Sequence, residues 1–158
     1  MTDTNKSRER ASRIFVLADT HDRLPDAVLE LSADADEIWH LGDVCAASLL
    51  ESLRRIGPPV IVVRGNCDSH LEWALALDIV RSALRFRLVH IPPHRPPEDV
   101  DFLLHGHTHV PRDEMRGTVR FLNPGCVTRP NRGAPASVAW LSIDASGTLA
   151  WELVHLPR

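Results

Sequence analysis

The chain has 158 residues, of which 44% are apolar and 25% charged, the composition of an average soluble globular protein. Its formal net charge of −3 excludes a strongly basic nucleic-acid-binding protein. We expect a cytoplasmic protein with no membrane partner, because no apolar run approaches the roughly 20 residues of a membrane span and no signal segment precedes the first strand. Polar residues 1–12 predict a flexible N-terminal tail, followed by a single domain over 13–158.

The first half of the chain alternates short apolar runs with amphipathic segments. Strands are predicted at 14–18, 37–41 and 60–63, with helices beginning near Pro25 and spanning 46–56. This alternation is typical of parallel βαβ units. Further along, strands are predicted at 78–80, 84–89, 100–104, 119–122, 138–143 and 149–154, with a hairpin turn at Ser146-Gly147. Four prolines predict a loop over 91–98. The pattern predicts an α/β layered domain with two sheets and outer helices.

Residue types that bind metals follow the predicted strands at the points where the strands end. Ligand sites of open α/β sheets lie beyond the carboxyl ends of the strands, so these side chains should converge on one crevice. An aspartate after a strand is often only a helix N-cap, and Gly-Asn is often only a turn. Seven metal-binding residue types at one edge of the sheet are much less easily explained as caps and turns than any single one of them. The candidate metal ligands are Asp19, His21, Asp43, Asn66, His90, His107 and His109.

The chemistry of this donor set favours two divalent transition-metal ions. Three carboxylate or amide oxygens and four imidazoles are too many ligands for one tetrahedral ion. Mn²⁺ is favoured, with Ni²⁺, Fe²⁺, Co²⁺ or Zn²⁺ as alternatives, because mixed nitrogen and oxygen ligation suits these ions better than Mg²⁺ or Ca²⁺. Asp43 follows the central strand and is the natural bridging ligand. Two cations about 3.5–4 Å apart can clamp a phosphoryl group and lower the pKa of a shared water.

These motifs, taken in order, resemble those of the calcineurin-like metallophosphoesterases, and within them the small single-domain phosphodiesterase branch. The resemblance implies a four-layer αββα sandwich, in which two mixed β-sheets are flanked by helices. It also implies a binuclear site at which a hydroxide shared by the metals attacks phosphorus in line with the leaving oxygen. The motifs that carry the resemblance are Asp19-Thr20-His21, Gly42-Asp43, Gly65-Asn66-Cys67-Asp68, His90 and Gly106-His107-Thr108-His109.

The resemblance assigns roles to individual residues. It implies that one metal is held by Asp19, His21, Asp43 and His109. It implies that the other is held by Asp43, Asn66, His90 and His107. The implied catalytic residues are Asp43, Asn66 and His90, of which Asn66 and His90 would stabilise charge on the phosphoryl oxygens.

Four further residues are candidates for contacting the substrate or supporting a ligand: Cys67, Asp68, His105 and His94. His105 is expected to pack under the site, because the matching motif begins at Gly106. His94 lies on the proline-rich loop, where it could reach a substrate, although solvent exposure is the simpler expectation. In larger relatives a histidine stands at the position of Cys67 and protonates the leaving group. A thiol of pKa about 8.5 is a poor proton donor, so either another group serves or substrates with good leaving groups, such as aryl phosphodiesters, are favoured.

Two departures from the family pattern bear on the site. Ile91-Pro92-Pro93 follows His90 where relatives usually have Gly-His, and the connection to Gly106 is short, so the second metal site is expected to be reshaped. Cys126 follows Asn123-Pro124-Gly125 where relatives usually have serine. That turn is expected to brace the site through its backbone, which would make the cysteine silent.

The sequence favours a metal-dependent phosphodiesterase over a phosphomonoesterase, acting on a small-molecule phosphoester. One alternative is a catalytically silent protein-interaction scaffold of the same fold, but such a scaffold should have lost ligands and none is missing here. A nuclease is a second alternative, although the chain lacks the basic surface and extra domains usual in such enzymes. The oligomeric state stays open, with a homo-oligomer among the alternatives.

Overall fold

The computed structural model of the protein describes residues 11–158. The predicted tail therefore lies outside the described residues except at its end, where Ser12 already belongs to the first strand. Ten strands and two helices follow one another along the described chain. They are β1 (Ser12–Leu17), α1 (Asp26–Ser32), β2 (Glu37–His40), α2 (Ala47–Arg54), β3 (Val60–Val62), β4 (Ala76–Arg81), β5 (Leu84–Val89), β6 (Phe102–Leu104), β7 (Arg112–Arg116), β8 (Val119–Asn123), β9 (Ser137–Ile143) and β10 (Leu149–His155).

The strands form two mixed five-stranded sheets. The first sheet has the order β10-β9-β1-β2-β3, and the second has the order β4-β5-β6-β8-β7. Strands β1, β2 and β3 run parallel, with Val16 opposite Trp39 and Trp39 opposite Ile61. Strands β5, β6 and β8 also run parallel, with β4 and β7 antiparallel at the edges. The carboxyl ends of both parallel sets carry the predicted ligands.

Alternate residues of β1 point into two separate apolar layers. Phe15 and Leu17 pack with Leu50 and Leu53 of α2 on the helical side of the first sheet. Ile14 belongs to the layer between the sheets, together with residues such as Trp39, Phe86 and Leu104. All of these side chains are buried, so the two sheets form one sandwich with the helices outside. The predicted two-sheet α/β architecture is confirmed.

The outer face of the second sheet carries no helix within residues 11–158. Phe121 packs there with Leu103 and with Val100 of the loop between β5 and β6. The guanidinium groups of Arg112 and Arg116 lie 4.7 and 5.2 Å from the centre of the Phe121 ring. Loop residues and arginine side chains therefore take the place of helical cover on this side. Neither helix of the described chain is long and apolar enough to cross a membrane.

Most of the predicted elements are present with boundaries shifted by a few residues, including the loop over 91–98 and the last hairpin. Strand β7 was not predicted. Its residues are mostly charged and largely exposed, and Met115 is 59% exposed. Because β7 pairs with β8 alone at the edge of its sheet, it needs no alternating apolar pattern.

Candidate metal centre

The loops after β1 and β2 are joined through their backbones. The amide of Asp19 donates to the carbonyl oxygen of Gly42 at 3.0 Å, and the amide of His21 donates to the carbonyl oxygen of Asp43 at 3.0 Å. These bonds continue the parallel pairing of the two strands beyond their ends. The Asp19 and Asp43 side chains are thereby brought to the same edge, where their residues are 0% and 2% exposed.

The backbone is strained at most of the predicted ligands. A positive φ is uncommon for a residue other than glycine and persists where surrounding contacts enforce it. Such residues cluster at functional sites, and here they follow β1, β2 and β6. The positive φ values are 56° at Asp19, 43° at His21, 56° at Asp43, 70° at His107 and 58° at His109.

Four predicted ligands lie together in one group: Asp19, His21, Asp43 and His109. One ligand atom from each lies within 4.8 Å of all the others. The Nε2 atom of His109 is 3.2 Å from Asp19 Oδ1, and the Nε2 atom of His21 is 3.8 Å from Asp43 Oδ2. The ligand atoms around one transition metal, with metal–ligand bonds of about 2.0–2.2 Å, are separated from one another by distances similar to those between these side-chain atoms. This group could therefore hold a divalent cation.

Hydrogen bonds through Nδ1 orient two of the imidazoles. His90 donates from Nδ1 to the carbonyl oxygen of Leu41 at 2.7 Å, and His109 donates from Nδ1 to that of Arg129 at 2.6 Å. A neutral ring whose Nδ1 carries the proton presents a lone pair at Nε2. In both residues Nε2 faces the aspartates, which is the arrangement found in histidine metal ligands.

Two buried polar atoms among the described residues have no hydrogen-bond partner: Asp19 Oδ1 and His90 Nε2. They lie 3.8 Å apart, and Nε2 of His90 is also 3.3 Å from Oδ2 of Asp43. Buried polar atoms are nearly always satisfied, so an unsatisfied pair of this kind needs an explanation. A carboxylate oxygen and an imidazole lone pair that converge without donors between them fit a divalent cation.

The remaining predicted ligands lie on the solvent side of this group. Nδ1 of His107 is 2.9 Å from Oδ1 of Asn66, and the amide of His107 donates to Oδ2 of Asp19 at 3.2 Å. The His107 ring lies edge to face with that of His90, with centroids 5.3 Å apart. Asn66 is exposed. All seven predicted ligands are thus brought to one rim, with Asn66 and His107 at its open side.

Asp68 holds the loops after β2 and β3 together. Its Oδ2 atom accepts hydrogen bonds from the amides of Asp43 at 2.9 Å and Gly65 at 2.7 Å. Its Oδ1 atom accepts from the amide of Cys45 at 2.7 Å. Carboxylates that accept several backbone hydrogen bonds fix the chain firmly. Asp68 therefore supports the position of Asp43 through the backbone of that residue.

The two buried carboxyl groups have opposite pKa shifts. Burial raises the pKa of Asp19 to about 6, although the charges that His90 and His109 carry when protonated act in the other direction. Burial also acts to raise the pKa of Asp43, but the protonated form of the His90 ring and the amide of Cys67 outweigh it and hold that pKa well below the ordinary value. Asp43 is therefore the permanent anion of the metal-free site, and Asp19 is the carboxylate that needs a cation beside it.

His105 and His40 lie beneath the site. Burial lowers the pKa of His105 to about 4, and its Nδ1 donates to the carbonyl oxygen of Gly106 at 2.9 Å. His40 is also fully buried, and burial lowers its pKa to about 3. Its Nε2 is 3.0 Å from Oγ1 of Thr20, and its Nδ1 accepts the amide of Gly42 at 3.2 Å. Both rings are neutral supports of the loops that carry the ligands.

The remaining candidate residues are placed as follows. Cys67 is exposed, and its amide donates to Oδ1 of Asp43 at 2.9 Å. His94 is exposed on its loop, where its carbonyl oxygen accepts from Arg116 at 2.7 Å. Cys126 is buried and its thiol donates to the carbonyl oxygen of Asp19 at 3.3 Å. The thiol of Cys126 therefore adds a side-chain contact at the turn that was expected to brace the site through its backbone.

Several supporting groups were not predicted from the sequence. The carbonyl oxygens of Leu41 and Arg129 orient two imidazoles, and Thr128 donates from its hydroxyl to the carbonyl oxygen of Asp19 at 3.2 Å. Backbone acceptors leave no signal in side-chain identity. The Thr128 hydroxyl had one weak signal, its position two residues after Cys126 in the turn that follows β8.

Glycine is required where the loops after β2 and β3 meet. Gly42 has a φ of 94°, and a Cβ atom there would lie 2.8 Å from the amide nitrogen of Gly65 and 2.8 Å from Nδ1 of His90. We expect Gly42→Ala to lower the free energy of unfolding by about 3 kcal/mol, through backbone strain and forced movement of His90. In a chain of this size that corresponds to a fall in Tm of roughly 6–12 °C.

Gly57→Ala is the matched control for this prediction. Gly57 also has a positive φ, of 123°, but no atom lies within 4 Å of a Cβ built there. This variant should therefore show the backbone strain alone, about 1 kcal/mol, and keep its metal affinity. Thermal unfolding of both variants measures the difference. Equal losses of stability in the two would contradict the close approach at Gly42.

Comparison with known proteins identifies a family and named relatives. The family model described as the calcineurin-like phosphoesterase superfamily domain matches residues 13–146. The chain is 32% identical to phosphodiesterase YfcE of Escherichia coli K12, over 87% of this chain and 91% of that protein. It is 33% identical to a probable metallophosphoesterase of Methanothermobacter thermautotrophicus, over 83% of this chain and 86% of that protein.

Solved structures agree in fold. The E. coli phosphoesterase YfcE superposes with a TM-score of 0.73 at 29% identity, covering 92% of this chain and 100% of that one. Vps29 of Chaetomium thermophilum superposes with a TM-score of 0.71 at 20% identity, covering 93% of this chain and 100% of that one, which shows likeness of fold alone. The family predicted from the ordered motifs is confirmed: this chain belongs to the calcineurin-like phosphoesterase superfamily.

Proposed function

We propose that this protein hydrolyses small-molecule phosphodiesters with divalent transition-metal ions held at the candidate metal centre. The observation that carries the proposal is the buried pair of unsatisfied atoms, Asp19 Oδ1 and His90 Nε2, facing each other beside Asp43. Relatives named phosphodiesterase and probable metallophosphoesterase support the same activity. The predicted ligands would divide between two ions: Asp19, His21, Asp43 and His109 for one, and Asp43, Asn66, His90 and His107 for the other.

Divalent cations at such a site polarise phosphoryl oxygens and lower the pKa of a bound water. The residues of this chain supply position and charge. Asp43 belongs to both proposed ligand sets, and its lowered pKa keeps it anionic at neutral pH. Asn66 is exposed at the rim, where its amide can donate to a phosphoryl oxygen. The hydrogen bond from His90 Nδ1 to the carbonyl oxygen of Leu41 orients Nε2 of the ring toward the site.

Hydrolysis of bis-p-nitrophenyl phosphate tests this proposal. Protein treated with a chelator should be inactive, and Mn²⁺ should restore turnover better than Mg²⁺ or Ca²⁺. Metal analysis and calorimetric titration should give two ions per chain, with weaker binding of one ion in Asn66→Ala. Absence of turnover with every metal, together with no metal binding, would favour the scaffold alternative. Cleavage of DNA or RNA with no turnover of small diesters would favour a nuclease.

Mn²⁺ as the working ion, the cytoplasm as the location and one domain over 13–158 remain parts of this proposal. Support for Mn²⁺ comes from the mixed oxygen and imidazole donor set, since thiolates are absent from the proposed ligands. A small-molecule substrate is supported by the net charge of −3, which gives no sign of a nucleic-acid partner.

The rate should depend strongly on the leaving group, because no strong proton donor stands at the position of Cys67. The residue as a whole is exposed, but partial burial of its thiol and the charge of Asp43 raise the pKa of that thiol, which weakens it further as an acid. For a series of aryl and alkyl diesters we expect kcat/KM to fall steeply as the leaving-group pKa rises. A slope near zero would show that another group protonates the leaving oxygen.

Replacing Cys67 tests whether the leaving-group dependence arises from the missing proton donor at this position. Cys67→His should flatten the slope and raise the rate for alkyl leaving groups by about 10²-fold, the usual contribution of a positioned general acid. Cys67→Ser is the matched control, because a hydroxyl is no better as an acid and should leave the slope unchanged.

A further inference from the structure

A cavity of about 480 Å³ opens beside the candidate metal centre on the side of His107. His107 forms part of its wall, and the same residue contacts Asp19 and Asn66 at the centre. Arg112, Asn131 and Arg132 form other parts of the wall. The cavity is in the size range of small-molecule sites, and two arginines supply hydrogen-bond donors to its wall. A substrate held at the metal centre could therefore extend one ester arm into it.

The two arginines of the cavity differ in how their charge is balanced. Arg112 binds Glu114 through Nε and one terminal nitrogen, at 2.8 and 2.6 Å, and lies over the Phe121 ring. Arg132 forms no ion pair with any residue in the range 11–158. The guanidinium of Arg132 is thus the uncompensated positive charge on this wall. Arginine is well suited to bind a carboxylate or phosphate through two parallel hydrogen bonds.

The turn that presents Arg132 is strained. The amide of Ala134 donates to the carbonyl oxygen of Asn131 at 3.0 Å, and Arg132 and Gly133 between them have φ values of 50° and 75°. Glycine and asparagine are the residues favoured in such a turn. The amide of Asn131 also donates to the carbonyl oxygen of His109 at 3.0 Å, which fixes the turn next to the metal centre. Arg132 therefore occupies a position where a glycine would fit with less strain.

We propose that this cavity binds a second anionic group of the substrate, a carboxylate or a phosphate, carried on one arm of the phosphodiester. The inference rests on the proposed function, since it places the reacting diester at the metal centre. Arg132 supplies the charge that selects the anionic arm. The side chains of Asn131 and of Arg112, which is paired with Glu114, form other polar parts of the wall around the anionic arm. The preferred substrates are then diesters with at least two negative charges.

Three p-nitrophenyl diesters test the proposal with the Mn²⁺-loaded full chain. Their second arms are propyl, 2-carboxyethyl and 2-phosphonoethyl, so that they differ mainly in the charge of one end. We expect the kcat/KM for the charged arms to exceed that for the propyl arm by about tenfold or more, the usual effect of a charge-assisted hydrogen bond. A larger value for the phosphonate identifies phosphate as the bound group, and a larger value for the carboxylate identifies carboxylate.

Arg132→Gly is the decisive variant. A glycine suits the positive φ at this position, so Tm should not fall, while the ratio of kcat/KM between charged and propyl arms should drop to near one. Arg132→Lys should keep part of the ratio. Arg55→Gln removes an exposed arginine at the end of α2 and should keep all of it.

The possible failures are distinguishable. If the wild-type protein hydrolyses none of the three esters with any metal, the proposed function is wrong and the cavity proposal falls with it. If the propyl ester is hydrolysed as fast as the charged esters, or if Arg132→Gly keeps the full ratio, the cavity proposal alone is overturned.

Discussion

Asp43→Asn should lower kcat/KM for bis-p-nitrophenyl phosphate by about 10³-fold or more, which corresponds to about 4 kcal/mol of transition-state stabilisation. Asp43 is the one residue that belongs to both proposed ligand sets, and its Oδ2 lies 3.8 Å from His21 Nε2 and 3.3 Å from His90 Nε2. An amide is neutral and offers one oxygen, so both cation positions would lose a charged ligand. The measurement is turnover across a range of Mn²⁺ concentrations, combined with metal analysis.

The fold should survive this change. Oδ1 of Asp43 accepts the amide of Cys67 at 2.9 Å, and the oxygen of an asparagine can accept the same bond. Asp78→Asn is the matched control, because Asp78 is part of an exposed ion pair with Arg87, and such pairs contribute about 0–1 kcal/mol. Near wild-type activity in Asp43→Asn at saturating Mn²⁺ would contradict the assignment of Asp43 as the shared ligand.

The convergence of the ligands could be predicted from the sequence for a physical reason. The apolar runs before Asp19 and Asp43 form β1 and β2, which are buried on both faces. Because these strands are parallel, their carboxyl ends lie at one edge of the sheet. Once those runs are recognised as parallel strands, the residues that follow them must meet. His107 and His109 follow the same rule from β6 in the second sheet.

Other features of the site depend on contacts that no local pattern encodes. The positive φ values at the ligands arise because backbone bonds between the loops hold residues that would not choose this conformation alone. The role of Asp68 depends on three amides from two different loops. The unbalanced charge of Arg132 on the cavity wall depends on a contact of another residue, since Arg112 on the same wall is paired with Glu114. Strand β7 lacks an apolar pattern because it lies at a sheet edge.

The metal-free protein should become more stable when Asp19 is replaced by asparagine. Burial raises the pKa of Asp19 to about 6 from an ordinary value near 4, so the folded state binds a proton that the unfolded state releases. Ionised Asp19 therefore destabilises the fold, fully above pH 6 and not at all below about pH 4. The asparagine side chain of the variant carries no charge at any pH, so we expect a gain on the order of 1–3 kcal/mol at pH 8 that disappears as the pH falls to 4.

Adding Mn²⁺ should reverse this order of stability. A ligand at one hundred times its Kd stabilises the protein that binds it by about 2.7 kcal/mol, and the wild-type chain should gain this while Asp19→Asn should not. Thermal unfolding at pH 4, 6 and 8, with chelator and with Mn²⁺, measures both effects, and Asp78→Asn again serves as the control. A variant that is less stable than wild type in chelator at pH 8 would contradict the raised pKa. One that gains the full Mn²⁺ stabilisation would contradict the role of Asp19 as a ligand, so the two halves of the prediction can fail separately. If both hold, ionised Asp19 destabilises the metal-free protein and is also a ligand of the bound cation.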